Sequence, residues 1–183
     1  MGDKLFKLLW NPWRYEYIRK IDSEKKCVFC ELPKYSDDQS LIIYRGRKSY
    51  VVMNAYPYNT GHLLIVPYRH VGELSDLTEE EYLEMCTLIR RSVEVLKKAF
   101  NPDGFNIGVN IGRAAGAGVP GHIHFHVVPR WVGDANFIAI IGSTKTLPMA
   151  LNEGYHILKS KWKDIENRCG SPRSLMFDDE GRV

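Results

Sequence analysis

The chain has 183 residues, of which 44% are hydrophobic and 26% charged, a length and balance that suit a single compact domain. Its formal charge of +3 is too small to mark a nucleic-acid binder but suits a small anionic substrate. No apolar run is long enough for a membrane span, no apolar stretch precedes a small-residue cleavage site, and four scattered cysteines make no disulfide framework, so the expectation is a cytoplasmic protein with no membrane partner.

In chain order, residues 1–20 are dense in aromatic rings and in Arg and Lys, a composition that predicts a segment lying against something apolar. A short knuckle follows, Cys27-Val28-Phe29-Cys30, and then a polar loop around Tyr35 to Ser40. Three strands are predicted at 41–45, 50–54 and 62–66, each rich in Val, Ile, Leu or Tyr and bounded by Gly, Pro or Asn. Thr78 and Glu81 form a capping box, and Tyr82, Met85, Ile89, Val93 and Leu96 recur at helical spacing until Asn101-Pro102 stops the helix. Two more strands, 105–111 and 122–128, flank a glycine-rich connector. A last helix spans about 149–166, and the tail from Gly170 is expected to be loosely held. Strands interrupted by one long helix predict an α+β domain on a mainly antiparallel sheet.

Three of the six histidines fall within five residues, as His122, His124 and His126. On a strand, alternate side chains share a face and lie about 6.6 Å apart, which sets the three imidazoles in a row while Ile123, Phe125 and Val127 enter the core. Such a row can hold a catalytic zinc with one open position, or serve phosphate chemistry with one imidazole as nucleophile. Zinc hydrolysis calls for a carboxylate base, yet the nearest acids in sequence, Asp103 and Asp134, are not adjacent. What is adjacent is the stretch from Gly108 to Gly121, with five glycines in fourteen residues, able to turn backbone N–H groups onto an anion or simply to make a tight hairpin. Its G-x-G-x-x-G match at Gly116, Gly118 and Gly121 is not a dinucleotide fingerprint, because a strand rather than a helix follows. The C-x₂-C pair Cys27 and Cys30 is half of a structural zinc site, with His70 as the best third ligand; two merely packed thiols are the alternative. Cys86 and Cys169 are expected to be inert, and His62 and His156 to be structural or solvated.

These residues resemble the histidine triad (HIT) family, whose signature His-φ-His-φ-His-φ-φ is matched by 122–128. The resemblance extends through Trp10 to Ile18, the C-x-F-C knuckle, Asn54 with Tyr56-Pro57, and Gly61 to Pro67. It continues in Asn106, Asn110, Gly112 and Ala115 to Gly118, and then in Val127 to Trp131, Asn136-Phe137 and Thr146 to Pro148. In all it covers about residues 8–150. It implies a HIT-like α+β fold with its sheet extended across a homodimer, and cleavage of dinucleoside polyphosphates such as diadenosine tetraphosphate. The implied intermediate is a nucleotidyl-histidine on His124, passed on to inorganic phosphate or water. It also implies that His126 and His122 assist, that Asn54 contacts the adenine nucleotide, and that Asn110, Gly116, Ala117 and Gly118 hold phosphate. His122 would be the fourth zinc ligand beside Cys27, Cys30 and His70, bracing His124, with magnesium admitted alongside the substrate. Where many family hydrolases have Gln in G-Q-[ST]-V, this chain has Gly116-Ala117-Gly118-Val119 and one extra residue before His122, which leaves phosphate contact to backbone N–H groups. A His₃ metallohydrolase and a nucleotide-binding protein without turnover are the rival readings.

Overall fold

The computed structural model describes residues 26–134 and 147–169; the aromatic N-terminal segment, Asn136-Phe137, Thr146 and the tail from Gly170 lie outside the described residues. The elements in chain order are α1 (Val28–Glu31), α2 (Asp37–Ser40), β1 (Ile42–Arg45), β2 (Ser49–Met53), β3 (Leu63–Pro67), α3 (Glu79–Phe100), β4 (Gly104–Val109), β5 (Phe125–Arg130) and α4 (Leu151–Cys169). The strands form one five-stranded sheet in the order β1-β2-β3-β5-β4, with every neighbouring pair antiparallel.

Strands β2 and β3 are buried along their whole length, which is why they read as unbroken apolar runs rather than alternating ones. Their side chains still divide by parity. Val51, Met53, Leu63 and Ile65 join Val127 of β5 against α3 and α4, where Met85, Leu88, Leu96, Tyr155, Leu158 and Trp162 complete the main core. Tyr50, Val52, Leu64 and Val66 face the other way and pack with Phe29 and Val119. The sheet face away from the helices is therefore roofed by the C-x-x-C knuckle and the glycine-rich connector.

The predicted capping box is present: Thr78 Oγ1 accepts from the Glu81 N–H at 3.2 Å, and Glu81 Oε2 accepts from the Thr78 N–H at 2.9 Å. Asn101 ends α3 in the left-handed conformation at φ 45°, just ahead of Pro102. The apolar stripe of α3 differs from the expected one. Tyr82 is 43% exposed, while the buried side chains are Met85, Leu88, Ser92, Val95 and Leu96 together with Glu81, Glu84 and Arg91. The discrepancy arises because the buried face includes charged groups with fixed partners. Arg69 grips the Glu81 carboxylate at 2.9 and 2.7 Å, and the Glu84 carboxylate accepts the Arg47 and Lys48 N–H groups of the β1–β2 turn. An apolar count cannot register such positions.

The expected loop around Tyr35 to Ser40 is instead a 3-10 turn at Leu32–Lys34 followed by α2. It is fastened to β1 by Arg45, which bonds Asp37, the Pro33 carbonyl and the Tyr35 carbonyl. From α4, Lys159 reaches Asp37 and the carbonyls of Ile42 and Ile43 in β1. One margin of the sheet is thus covered, whereas β4 at the other margin leaves Ile107 48% exposed.

Candidate active site and metal centre

Strand β5 begins at Phe125, so the histidine row is not wholly on a strand as expected. His122 lies in a turn whose N–H bonds the Val119 carbonyl, and the Ile123 N–H is drawn to the Val71 carbonyl at 2.6 Å. His122 does not line the pocket with His124 and His126; its ring meets Cys27 and His70 instead. Ile123 and Val127 are buried as expected, and Phe125 packs on the core from a partly buried position.

The pocket on the roofed face is lined by Phe29, Asn54, Tyr56, Tyr58, Leu64, Asn110, Gly116, Gly118, Val119, His124 and His126. Of the expected site residues, Ala117 and His122 are not among these. The glycine connector is folded by a 3-10 turn at Arg113–Ala115, entered and left by Gly112 at φ 75° and Gly116 at φ 86°. The Gly116 and Ala117 N–H groups bond the turn's own carbonyls, at Arg113 and Gly112. Among the described residues no carboxylate occurs in the lining: Asp134 is held by Arg130 and Asn59, and Asp103 by the Val132 N–H.

Hydrogen bonds around the imidazoles fix their tautomers. His124 Nδ1 lies 2.8 Å from the His122 carbonyl, which can only accept, so Nδ1 carries the proton and Nε2 keeps its lone pair. His62, fully buried, receives the Tyr58 N–H at 3.1 Å on Nδ1, and the Asn54 amide nitrogen donates to the same atom at 3.2 Å. Asn54 is itself oriented by the Tyr56 N–H on its Oδ1 at 2.9 Å. His62 Nδ1 is therefore an acceptor and its Nε2 bears the proton, donated at 3.0 Å to His126 Nδ1. This relay leaves the His126 proton on Nε2. Tyr58 stacks on His126 with ring centroids 5.6 Å apart and planes 15° apart, holding that orientation. Burial holds His124 below the usual imidazole range. Burial, aided by the neighbouring imidazoles, takes His62 down to about 3. His62 is a positioning residue that the triad pattern alone did not single out; the signal for it was its place at the head of β3, two registers from His126.

A second cluster joins Cys27, Cys30, His70 and His122, whose donor atoms all lie within 4.8 Å of one another. His122 Nδ1 is 3.3 Å from Cys27 Sγ, 3.5 Å from Cys30 Sγ and 3.3 Å from His70 Nδ1, and His70 Nδ1 is 3.4 Å from Cys30 Sγ. Tetrahedral zinc, with bonds of about 2.0–2.1 Å to nitrogen and about 2.3 Å to sulfur, places its donors roughly 3.3–3.8 Å apart. The residues fit that ion. His122 Nε2 donates to the Pro67 carbonyl at 2.9 Å, which turns the bare Nδ1 towards the sulfurs. Gly72 allows the approach: a Cβ there would lie 2.9 Å from the Pro120 carbonyl, so only glycine lets the segment after β3 that carries His70 run beside the turn carrying His122. The three triad imidazoles do not converge on one point, because His122 faces the cysteines, and a His₃ metal centre is not formed.

A five-stranded antiparallel sheet with one bare imidazole nitrogen and one imidazole N–H in a pocket beside a glycine-rich loop defines an α+β domain with a histidine-lined pocket. The chain belongs to the HIT family: the HIT domain profile matches residues 36–132. It is 43% identical over 162 residues to the AP-4-A phosphorylase of Mycobacterium tuberculosis (strain CDC 1551 / Oshkosh), covering 84% of this chain and 83% of that protein. It is 38% identical over 110 residues to the asymmetrical bis(5'-nucleosyl)-tetraphosphatase of Schizosaccharomyces pombe, covering 60% of this chain and 58% of that one. Among solved structures it is similar to a Zn-bound histidine triad family protein from Mycobacterium smegmatis, with a TM-score of 0.64 and 26% identity over 78% of this chain and 97% of that chain. Among the described residues no helix is long and apolar enough to cross a membrane.

Proposed function

We propose that this chain is a nucleotidyl-transferring enzyme that cleaves dinucleoside polyphosphates of the diadenosine tetraphosphate type. The observation that carries the reading is the pairing of tautomers, with a lone pair on His124 Nε2 and a proton on His126 Nε2 at the same pocket. Nε2 of His124 attacks a phosphorus, a P–N bond forms as the P–O bond to the nucleoside polyphosphate breaks, and the leaving oxygen keeps the electron pair. That oxygen needs no proton at neutral pH, so His126 acts by donating a hydrogen bond to the charge that builds on phosphate oxygens. Gly118 and Asn110 at the pocket wall add N–H donors to the same charge. The His122 carbonyl stabilises the His124 imidazolium through the Nδ1–H. In the second step phosphate attacks to give ADP, or water to give AMP, and His124 is restored. Resemblance to the phosphorylase favours phosphate. Incubation with diadenosine tetraphosphate, with and without phosphate, decides: ADP formed only with phosphate supports phosphorolysis, AMP in both supports hydrolysis, and unchanged substrate in both refutes the reading.

Zinc is the ion we assign to Cys27, Cys30, His70 and His122, where it would tie the knuckle to the turn that carries the triad. A homodimer joined through β4 is supported by that strand's open margin, and Ile107→Lys is expected to give a monomer by sedimentation; a wild type already monomeric would refute it. The pH dependence follows from the depressed imidazoles. A buried neutral base titrates below its unfolded value of about 6.5, so kcat/KM is expected to stay flat down to that pH and to fall only below it. Stability contributed by neutral His62 is full above about pH 6.5 and is lost as pH falls towards about 3, the value to which burial takes that ring.

A further inference from the structure

We propose that Phe29 couples the nucleotide pocket to the metal cluster, so that a nucleotide in the pocket slows loss of the metal. The inference rests on the nucleotide and zinc readings above. Phe29 stands between the two cysteine ligands in α1, is 4% exposed, and still forms part of the pocket lining. Its ring lies 4.7 Å from the His124 ring and 5.6 Å from the His122 ring, between the group assigned as nucleophile and a residue of the metal cluster. Its carbonyl accepts from the Tyr50 hydroxyl of the sheet at 2.7 Å, a bond that ties the knuckle down. Lifting the Cys27–Cys30 turn off the sheet must break that bond and carry Phe29 with it.

Metal release and Phe29 movement are then one event. Cys30 and Cys27 are partly exposed and His70 is exposed, so the cluster opens on its outer side, where the two sulfurs must part from the imidazoles. Opening withdraws the Phe29 ring from the pocket wall and frees the His122 carbonyl that holds the His124 Nδ1–H. A nucleotide packed on Phe29 opposes that withdrawal. By linkage the metal must favour nucleotide binding by the same factor as the nucleotide favours the metal. Phe29 is thus a positioning residue for both ligands and touches neither reacting atom.

The test is zinc transfer from the loaded, full-length protein to a colorimetric chelator, followed with and without saturating AMP. AMP is expected to slow transfer about fivefold or more, the lower end of ordinary coupling between sites. Inorganic phosphate alone, which has no nucleoside to pack on Phe29, is expected to leave the rate unchanged. Phe29→Ala should still hold one zinc per chain yet lose the AMP effect, and Phe29→Leu should retain part of it. If zinc is bound and AMP is bound but the transfer rate does not change, the coupling is refuted while both readings stand. Equal protection by phosphate alone, or an AMP effect that survives intact in Phe29→Ala, also overturns it. Protein that takes up no zinc defeats the metal reading, and protein that binds no AMP defeats the nucleotide reading, so each failure has its own signature. Should Phe29→Ala fail to fold, the wild-type comparison and Phe29→Leu still decide.

Discussion

Replacement of His124 by alanine is expected to lower kcat on diadenosine tetraphosphate by about 10⁴-fold or more while AMP binding stays within a few-fold, since loss of a nucleophile removes the covalent route and leaves the binding surface. The ring is buried at 5% exposure and packs at 4.7 Å on Phe29, so His124→Gln, closer in volume, should accompany it to separate lost chemistry from lost packing. Both variants should fail to accumulate nucleotide on residue 124 in mass spectra of quenched reactions. His126→Ala and His62→Ala act one step away. Loss of a single donor to transition-state charge costs about 10²–10³ in kcat. His62→Ala should approach the His126→Ala value, because without the proton from His62 Nε2 the His126 ring is free to present either nitrogen. Near-normal turnover in His124→Ala would exclude the covalent pathway.

Much of this site was legible in the sequence because its chemistry is local. Alternation at 122, 124 and 126 marks the imidazoles and C-x-x-C marks two of the four clustered donors, whereas the Gly116 and Ala117 N–H groups of the glycine connector are taken by the turn's own carbonyls. Alternation alone does not show why His122 turns to the cysteines, which only the family resemblance implies. A strand assumption gives each alternate residue the same face, whereas here the ladder of β5 starts only at Phe125 and the turn before it is fixed by bonds to Val71, Val119 and Pro67. Those partners are distant in sequence, so no local pattern encodes them. The same holds for Asn54, expected as a nucleotide contact: it lines the pocket, but its amide is engaged with His62 and with the Tyr56 N–H, which makes it part of the tautomer relay.

The apolar runs in the sequence match β1, β2 and β3 to within one residue, and Thr78, Glu81 and Asn101 mark the caps of α3. The stripe of α3 departs from the apolar pattern because Glu81 and Glu84 are interior, and burial of a charge depends on a tertiary partner such as Arg69 or the β1–β2 turn. Residues 32–40 contain Pro33 and two aspartates, a composition that reads as loop; their 3-10 turn and α2 are held by Arg45 and Lys159 from elsewhere in the chain.

Cys27→Ser is expected to remove zinc and to lower the melting temperature by about 10 °C or more. The cluster joins positions that are 95, 92, 52 and 40 residues apart along the chain, so one ion closes several long loops at once. In a protein of this size each kcal/mol is worth about 2–4 °C, and losing a four-ligand cross-link costs several kcal/mol. Serine keeps the side chain's size but not a thiolate, so packing changes little and the effect reports the ion. Cys86→Ser is the control: that thiol is exposed on α3, and a surface exchange there should stay within about 0.5 kcal/mol. Activity should fall with the metal even at temperatures where Cys27→Ser remains folded. The His122 turn would then be held only by the Pro67, Val119 and Val71 contacts, and the carbonyl that keeps the proton on His124 Nδ1 would no longer be fixed relative to the pocket. A Cys27→Ser protein that melts and turns over like wild type would show that the cluster braces nothing and that the sheet alone positions the nucleophile.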